Sequence, residues 1–306
     1  MKRTELLNRY KGCLIGLAVG DAIGTTVEFA ERGTFEPLTD MVGGGPFDLK
    51  AGQWTDDTSM ALCLAHSLIH NKGFDATDQM NRYCNWYNYG YLSSTGECFD
   101  IGHTTLTALR KFLMTKDPMA GSTHPRSAGN GGIMRLAPIP MFYANPIDDL
   151  IFYASESSKT THAASEAVEC AQLFACQIQA ALSGQSKHEV LSDNRFNPIE
   201  TKVIEIQNQG YINKSRDEIQ GSGYVIDSLE AALWCFYKSN TFAETVLMAA
   251  NLGDDADTTA AIVGQIAGAY YGYDSIPGEW LNKLAMKEEI VELANNLFKL
   301  GNNSID

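Results

Sequence analysis

The feature that most limits how this chain can fold is its hydrophobic period. Apolar residues recur three and four apart over residues 6–19, 59–69, 104–112, 163–182, 228–237, 243–252, 258–271 and 288–300. That spacing lines one face of an α-helix. Alternation of the strand type is nearly absent. The intervening stretches at 24–53, 114–132 and 195–223 are rich in Gly, Ser, Thr and Asn. Loops of that length in a compact domain usually carry function or move. No linker, repeat or low-complexity segment breaks the 306 residues, a length that can bury a sizeable core. The expectation is one all-α domain over residues 1–306, with functional loops on one face.

Charge and cysteine usage narrow the function classes. The formal net charge is −14. Phosphate binding wants a basic stripe, so a DNA- or RNA-binding surface is not expected as the main function. An anionic substrate would need local help from metal ions, helix N-termini or backbone N–H groups. The seven cysteines are odd in number, irregularly spaced and free of CxxC pairs. They read as reduced core residues of a cytoplasmic chain. The N-terminus runs into a polar-interrupted helix rather than a signal peptide, and no apolar run reaches membrane-spanning length.

Two acidic clusters stand where Gly-containing loops turn into Ala-rich helices: Thr55-Asp56-Asp57-Thr58 and Asp254-Asp255-Ala256-Asp257-Thr258. Carboxylates and hydroxyls are hard oxygen ligands, the set Mg²⁺ and Mn²⁺ prefer. The plain alternative is helix capping, with Thr55 as N-cap and acids in the first turn. Each cluster holds more acids than capping needs, and crowded like charges cost stability unless a cation offsets them. Two such clusters meeting in space would make a carboxylate-rich metal site. Glu28, between Val27 and Phe29, is either a solvated loop residue or a carboxylate aimed at that site. Asp100, at another helix entry, is either a cap or an acid–base group.

Other stretches carry weaker signals. Ser127-Ala128-Gly129-Asn130-Gly131-Gly132 is a small-residue loop. It could open a helix and let backbone N–H groups approach a phosphate, or simply form a tight turn. His162 is expected at or just inside the N-terminus of a long helix, where the local field disfavours its protonation. Tyr224 opens another helix and could stack on a base or cap the core. His66 and His70 have metal-ligand spacing, but no third soft ligand is nearby.

Taken together, these stretches resemble the ADP-ribosylglycohydrolase family. The resemblance is carried, in the family's order, by 16–24, Trp54–Thr58, Phe99–Gly102, Gly129–Arg135, Thr161-His162 and Gly253–Thr258. It spans most of the chain, and although any single motif is weak, the ordered set is specific. It implies a compact single-domain orthogonal helical bundle with a binuclear centre of two Mg²⁺ or Mn²⁺. Thr55, Asp56, Asp57, Asp255, Asp257 and Thr258 would be the metal ligands, and Glu28 a nearby mobile carboxylate. Ser127, Gly129, Asn130 and Gly131 would hold the diphosphate and ribose side of ADP-ribose, with His162 on the distal ribose and Tyr224 bordering the pocket. Ala128 stands where some animal members carry an aromatic that packs on adenine. The 127–138 and 223–236 stretches are more similar to the bacterial, nitrogenase-regulating branch.

The implied reaction is metal-dependent hydrolysis of the bond between the anomeric carbon of ADP-ribose and an acceptor atom. The ions would fix the ribose hydroxyls and orient a water, and nearby carboxylates would favour an oxocarbenium-like transition state. Asp57, Asp100 and Glu28 are the acid–base candidates, in no order. The substrate would be an ADP-ribosylated protein, arginine first, or another ADP-ribosyl conjugate, with ADP-ribose as product. No membrane is involved, and a nucleic acid would enter only as a modified substrate. Three rival readings exist. A terpene-synthase-like enzyme needs Asp-Asp-x-x-Asp, which 56–60 lacks. A binding protein without turnover would be expected to lose site residues, and all are present. An immunity-type hydrolase reversing a toxin's ADP-ribosylation uses the same chemistry and would be favoured by an extra terminal arm.

Overall fold

The computed structural model describes residues 1–302. In chain order its α-helices are α1 (Arg3–Gly24), α2 (Asp56–Asn71), α3 (Ala76–Tyr89), α4 (His103–Thr115), α5 (Pro138–Phe142), α6 (Ile147–Lys159) and α7 (Ser165–Leu182). There follow α8 (Lys187–Leu191), α9 (Thr201–Gln207), α10 (Val225–Lys238), α11 (Phe242–Ala250), α12 (Ala256–Tyr271), α13 (Gly278–Lys283) and α14 (Lys287–Gly301). Three isolated bridges are the only β-type pairings among the described residues. The all-α expectation holds.

The centre of the molecule is the antiparallel pair α1 and α12. Small residues recur every fourth position on both helices: Gly12, Gly16, Gly20 and Gly24 on α1, and Ala256, Ala260, Gly264 and Gly268 on α12. Residues four apart share a helix face. A β-carbon at Gly12, Gly16, Gly20 or Gly24 would collide with the carbonyl oxygen of Gly268, Gly264, Ala260 or Ala256, in that order. The two helices therefore meet backbone on backbone. From Gly12 to Gly24 every residue of α1 is buried. Helices α10 and α11 pack on α12, and α14 packs on α1.

This pairing sets the level of the site. Because Gly24 abuts Ala256, the C-terminal end of α1 lies beside the N-terminus of α12. The N-terminus of α2 is tied to the same place: the backbone N–H groups of Thr55 and Thr58 donate to the carboxylate of Asp21, at 2.8 and 3.0 Å. Loops join around these helix ends through their main chains. Phe29 N–H donates to Asp254 O at 2.7 Å and Asp254 N–H to Ala30 O at 2.9 Å. Asp255 N–H donates to Gly221 O at 2.8 Å, and Asn130 N–H to Gly223 O at 3.2 Å.

Three local expectations change. Residues 130–132 form a 3₁₀ turn, not the start of an α-helix, and the next helix waits until Pro138. Helix α7 begins at Ser165, so His162 lies before it rather than at its N-terminus. The stretch expected as a loop over 195–223 also contains α9.

Backbone contact makes the seam intolerant of added volume. Gly16→Ala is expected to destabilise the protein by about 3 kcal/mol, through overpacking against Gly264. Gly278→Ala, where a β-carbon meets nothing within 4 Å, is expected to stay within about 0.5 kcal/mol. Urea unfolding of both variants checks this, and equal stabilities would contradict the seam.

Candidate active site

In both acidic clusters the residue at the N-cap position makes no side-chain cap. Thr55 occupies the N-cap position of α2, yet its side chain caps nothing. Its hydroxyl lies 3.0 Å from Asp21 Oδ1 and 3.2 Å from Asp257 Oδ2, and its one proton can go to either. Asp255 occupies the N-cap position of α12 and likewise makes no cap. It accepts a hydrogen bond from Asn130 Nδ2 at 2.6 Å instead. Thr258 Oγ1 lies 3.2 Å from Asp57 Oδ1. Hydroxyls and carboxylates from chain positions about two hundred residues apart thus interlock.

Sequence reading missed Asp21. It is fully buried at the base of the cluster and accepts from the backbone N–H and the hydroxyl of both Thr55 and Thr58, the last at 2.6 Å from Thr58 Oγ1. Both of its oxygens are engaged in holding the first turn of α2. The signal was present: Asp21 directly follows Gly20 of the every-fourth-residue glycine row, which puts it beside the seam.

Above this base the acids crowd. One carboxylate oxygen from each of Asp21, Asp57 and Asp257 lies within 4.8 Å of the others, and the same is true of Glu28, Asp100 and Asp257. Asp57 Oδ2 and Asp257 Oδ1 are buried without a hydrogen-bond partner. Buried polar atoms in native proteins are nearly always partnered. Two orphaned carboxylate oxygens in a hard-oxygen cluster fit a divalent cation, so the residues present could hold a metal.

The electrostatics say the same. Burial, and then the charges of Asp257, Asp21, Asp56 and Asp255, push Asp57 well above the usual carboxylate range. Asp56 and Asp257 are pushed the same way, burial leading in both. Burial and then Asp257 raise Glu28 to about 10. Burial and then Asp56 and Glu28 raise Asp100 to about 10. The buried Arg135 pulls Asp56 in the opposite direction without prevailing. Its Nη2 donates to Thr161 Oγ1 at 2.6 Å, and its guanidinium lies 4.8 Å from the centre of the Tyr83 ring.

A cavity of about 840 Å³ opens over the cluster. Glu28, Asp56, Asp100, Asp255 and Thr258 line it, and so do Gly129, Asn130, Gly131 and His162. Thr55, Asp57 and Asp257 are buried beneath it. The His162 ring packs against Gly131, where a β-carbon would strike it, and Nδ1 lies 2.9 Å from Thr161 Oγ1. Burial, then the charge of Arg135, pushes this imidazole down to about 3. The expected direction holds, but desolvation and a buried cation cause it rather than a helix terminus.

Ser127 and Tyr224 do not line this cavity, although Tyr224 is bridge-paired with Gly129, which does. Ser127 lines a neighbouring cavity of about 620 Å³ and hydrogen-bonds the backbone carbonyl of His124 at 2.6 Å. The Tyr224 hydroxyl is engaged by Glu166 at 2.5 Å and Lys202 at 2.9 Å. The His66–His70 pair makes no metal site: His66 faces Glu289 at 3.5 Å, and His70 is exposed.

The all-α scaffold assembles buried acids at its helix ends beneath a cavity of about 840 Å³. The chain belongs to the ADP-ribosylglycohydrolase family: the family's profile matches residues 2–305. It is 47% identical, over 96% of its length and 79% of the relative's, to an ADP-ribosylarginine hydrolase Tri1 of Pseudomonas putida. It is 31% identical, over 92% of both chains, to the ADP-ribosyl-[dinitrogen reductase] glycohydrolase of Rhodospirillum rubrum. A solved ADP-ribosylglycohydrolase-related protein complex superposes with a TM-score of 0.87, at 41% identity, over 97% of this chain and 99% of that one. Among the described residues no helix is long and apolar enough to cross a membrane.

The depressed histidine gives a pH prediction with a definite sign. Between the unfolded value of 6.5 and about 3, the unfolded chain binds a proton at this ring and the folded chain does not. His162 therefore contributes a loss of stability as pH falls below 6.5. Its ring resonances are expected to stay constant from pH 8 to pH 5 in NMR spectra. A titration midpoint near 6.5 would contradict the buried, neutral assignment.

Proposed function

We propose that this protein hydrolyses the bond between the anomeric carbon of ADP-ribose and a side-chain nitrogen of arginine, with divalent cations held between its two acidic clusters. One observation carries the proposal. The two clusters converge beneath one cavity, and the converging carboxylates of Asp57 and Asp257 keep oxygens that nothing in the protein satisfies. The arginine acceptor is supported by the relatives named ADP-ribosylarginine hydrolase in Pseudomonas putida and Serratia proteamaculans, the latter 45% identical.

Thr55, Asp56, Asp57, Asp255, Asp257 and Thr258 would hold two Mg²⁺ or Mn²⁺. Bound there, the ions would supply positive charge to fix the ribose hydroxyls and Lewis acidity toward a water. Asp21 is the positioning residue for this set, because it fixes the backbone and hydroxyls of Thr55 and Thr58. Gly129, Asn130 and Gly131 present backbone and amide groups to the sugar-nucleotide, and neutral His162 accepts or donates one hydrogen bond without adding charge.

Asp57 lies beneath the cavity, whereas Glu28 and Asp100 line it with a carboxylate oxygen of each within 4.8 Å of the other. We assign the acid–base work to this pair. Like carboxyls held together share a proton. One takes the proton of the attacking water and passes it to the departing guanidino nitrogen, as the water oxygen bonds to the anomeric carbon. The surrounding carboxylates favour the cationic sugar of the transition state. Residues 1–306 act as one catalytic unit in this reading, and the free cysteines fit a cytoplasmic setting.

The test is a panel of ADP-ribosylated arginine, serine, guanine and thymine substrates, with and without chelator. Release of ADP-ribose from the arginine conjugate is expected, with loss on chelation and at least a ~100-fold fall in Asp56→Ala or Asp255→Ala. Undiminished turnover in either variant would remove the acidic site from the mechanism.

The same site predicts a pH-dependent response to metal. Glu28 and Asp100, both raised to about 10, bind more protons folded than unfolded across the neutral range. Without cations, stability therefore falls as pH rises through that window. A divalent cation replaces those protons, so Mn²⁺ should raise the Tm more at pH 8 than at pH 5. An equal rise at both values, or none, would count against a cation among the acids.

A further inference from the structure

We propose that Phe29, Phe47 and Phe99 form the acceptor platform of the enzyme, receiving the planar guanidinium of ADP-ribosylarginine at the cavity mouth. The inference rests on the arginine reading above and adds the surface that selects it.

Phe29 lines the cavity and is 68% exposed. Its ring meets Phe47 edge-on at 6.3 Å, and Phe47 meets Phe99 at 5.2 Å, tilted by 60°. Edge-on and tilted pairs leave ring faces open rather than stacked away. The ends of this row are bonded to the chemistry: Phe29 directly follows Glu28, and Phe99 directly precedes Asp100.

Folding alone does not explain Phe29. Its φ is +61°, a left-handed conformation that a bulky residue rarely adopts. It gains little burial in exchange. Asp48, Asp100 and Asp254 share the conformation, at φ +51°, +56° and +56°. Such backbone persists only where the surroundings over-determine it, and it gathers at functional sites. Here the Phe29–Asp254 and Asp254–Ala30 main-chain bonds hold it.

Charge selects the occupant. Glu28, Asp56, Asp100 and Asp255 line the same cavity as Phe29, the exposed Asp254 is joined to Phe29 by a main-chain hydrogen bond, and the exposed Asp48 follows Phe47 in the chain. That negative field favours a cation at the mouth. Guanidinium is flat, weakly hydrated and always charged, and it binds aromatic faces. Adenine also stacks on aromatics, but it carries no positive charge for that field to attract.

The experiment measures kcat and KM for an ADP-ribosylarginine peptide, and ADP-ribose affinity by calorimetry, in Phe29→Ala, Phe29→Leu and Phe29→Trp. Phe29→Ala and Phe29→Leu are expected to raise KM roughly 3- to 10-fold, with kcat and ADP-ribose affinity unchanged. Phe29→Trp, which keeps a ring face, should match the wild type. The platform is overturned by an unchanged KM in Phe29→Ala, by wild-type behaviour in Phe29→Leu, or by a parallel loss of ADP-ribose affinity, which would mark an adenine contact. A wild-type enzyme that fails to cleave the arginine conjugate overturns the arginine reading itself, and the guanidinium platform with it.

Discussion

The backbone contact between α1 and α12 is the constraint from which the rest of the structure follows. Two helices that touch through glycine and alanine have their axial register fixed by main-chain atoms rather than by adjustable side chains. A shift of one residue would drive larger side chains such as Leu17 or Ile262 into the seam. The register sets Asp21 against Asp257, and Asp21 in turn sets the first turn of α2 through Thr55 and Thr58. Positions of ångström accuracy among the acids are thus inherited from a contact in the core. Catalysis needs such accuracy, and rigid elements supply it better than loops do.

That rigidity holds together something that opposes folding. Carboxylates gathered in a poorly hydrated space repel one another, and burial raises their cost further. The protein offsets part of this with hydroxyl and amide donors: Thr55, Thr58 and Thr258 within the cluster, and Asn130 on Asp255. The buried guanidinium of Arg135 adds one positive charge at a remove. None of these reaches the two unpartnered oxygens on Asp57 and Asp257. The deficit is located where cations would bridge the clusters, so the most costly part of the fold and the most useful part coincide.

Legibility in the sequence followed the kind of interaction. Helical period and acid clustering are local patterns, and both survived contact with the structure: the all-α fold, and the convergence of 55–58 with 254–258. Asp21 was passed over because one acid at a helix end looks like any other; only the four-residue glycine row beside it marks it as central, and that row reads as packing once its partner on α12 is known. His162 was given the right direction of shift for the wrong reason, since burial leads and the charge of Arg135 follows, and neither is a local property of the helix entry. Gly129–Gly132 lacks the apolar period of a helix and forms a 3₁₀ turn. The hydroxyls of Ser127 and Tyr224 are turned to His124 and to Glu166 and Lys202, and for Tyr224 those partners are distant in sequence. Phe29 as a rim residue was invisible, because no local rule forecasts a bulky residue at positive φ.

The architecture divides into parts with different freedom to change. The acids of the two clusters stand at helix starts tied to the seam, and a substitution there propagates into the core. The mouth is built from 24–53 and 96–102, segments fixed at a few points such as Gly45 against the Thr25 carbonyl and Gly52 against that of Lys283. Between those points side chains face solvent, and replacements cost little stability. A fold of this kind can keep one glycosidic chemistry while its mouth is recut for another acceptor. Acceptor choice is then a property of loops that the core need not notice, provided that Asp100 and Glu28 keep their place in the cavity, the latter beside the main-chain bonds of Phe29 and Asp254.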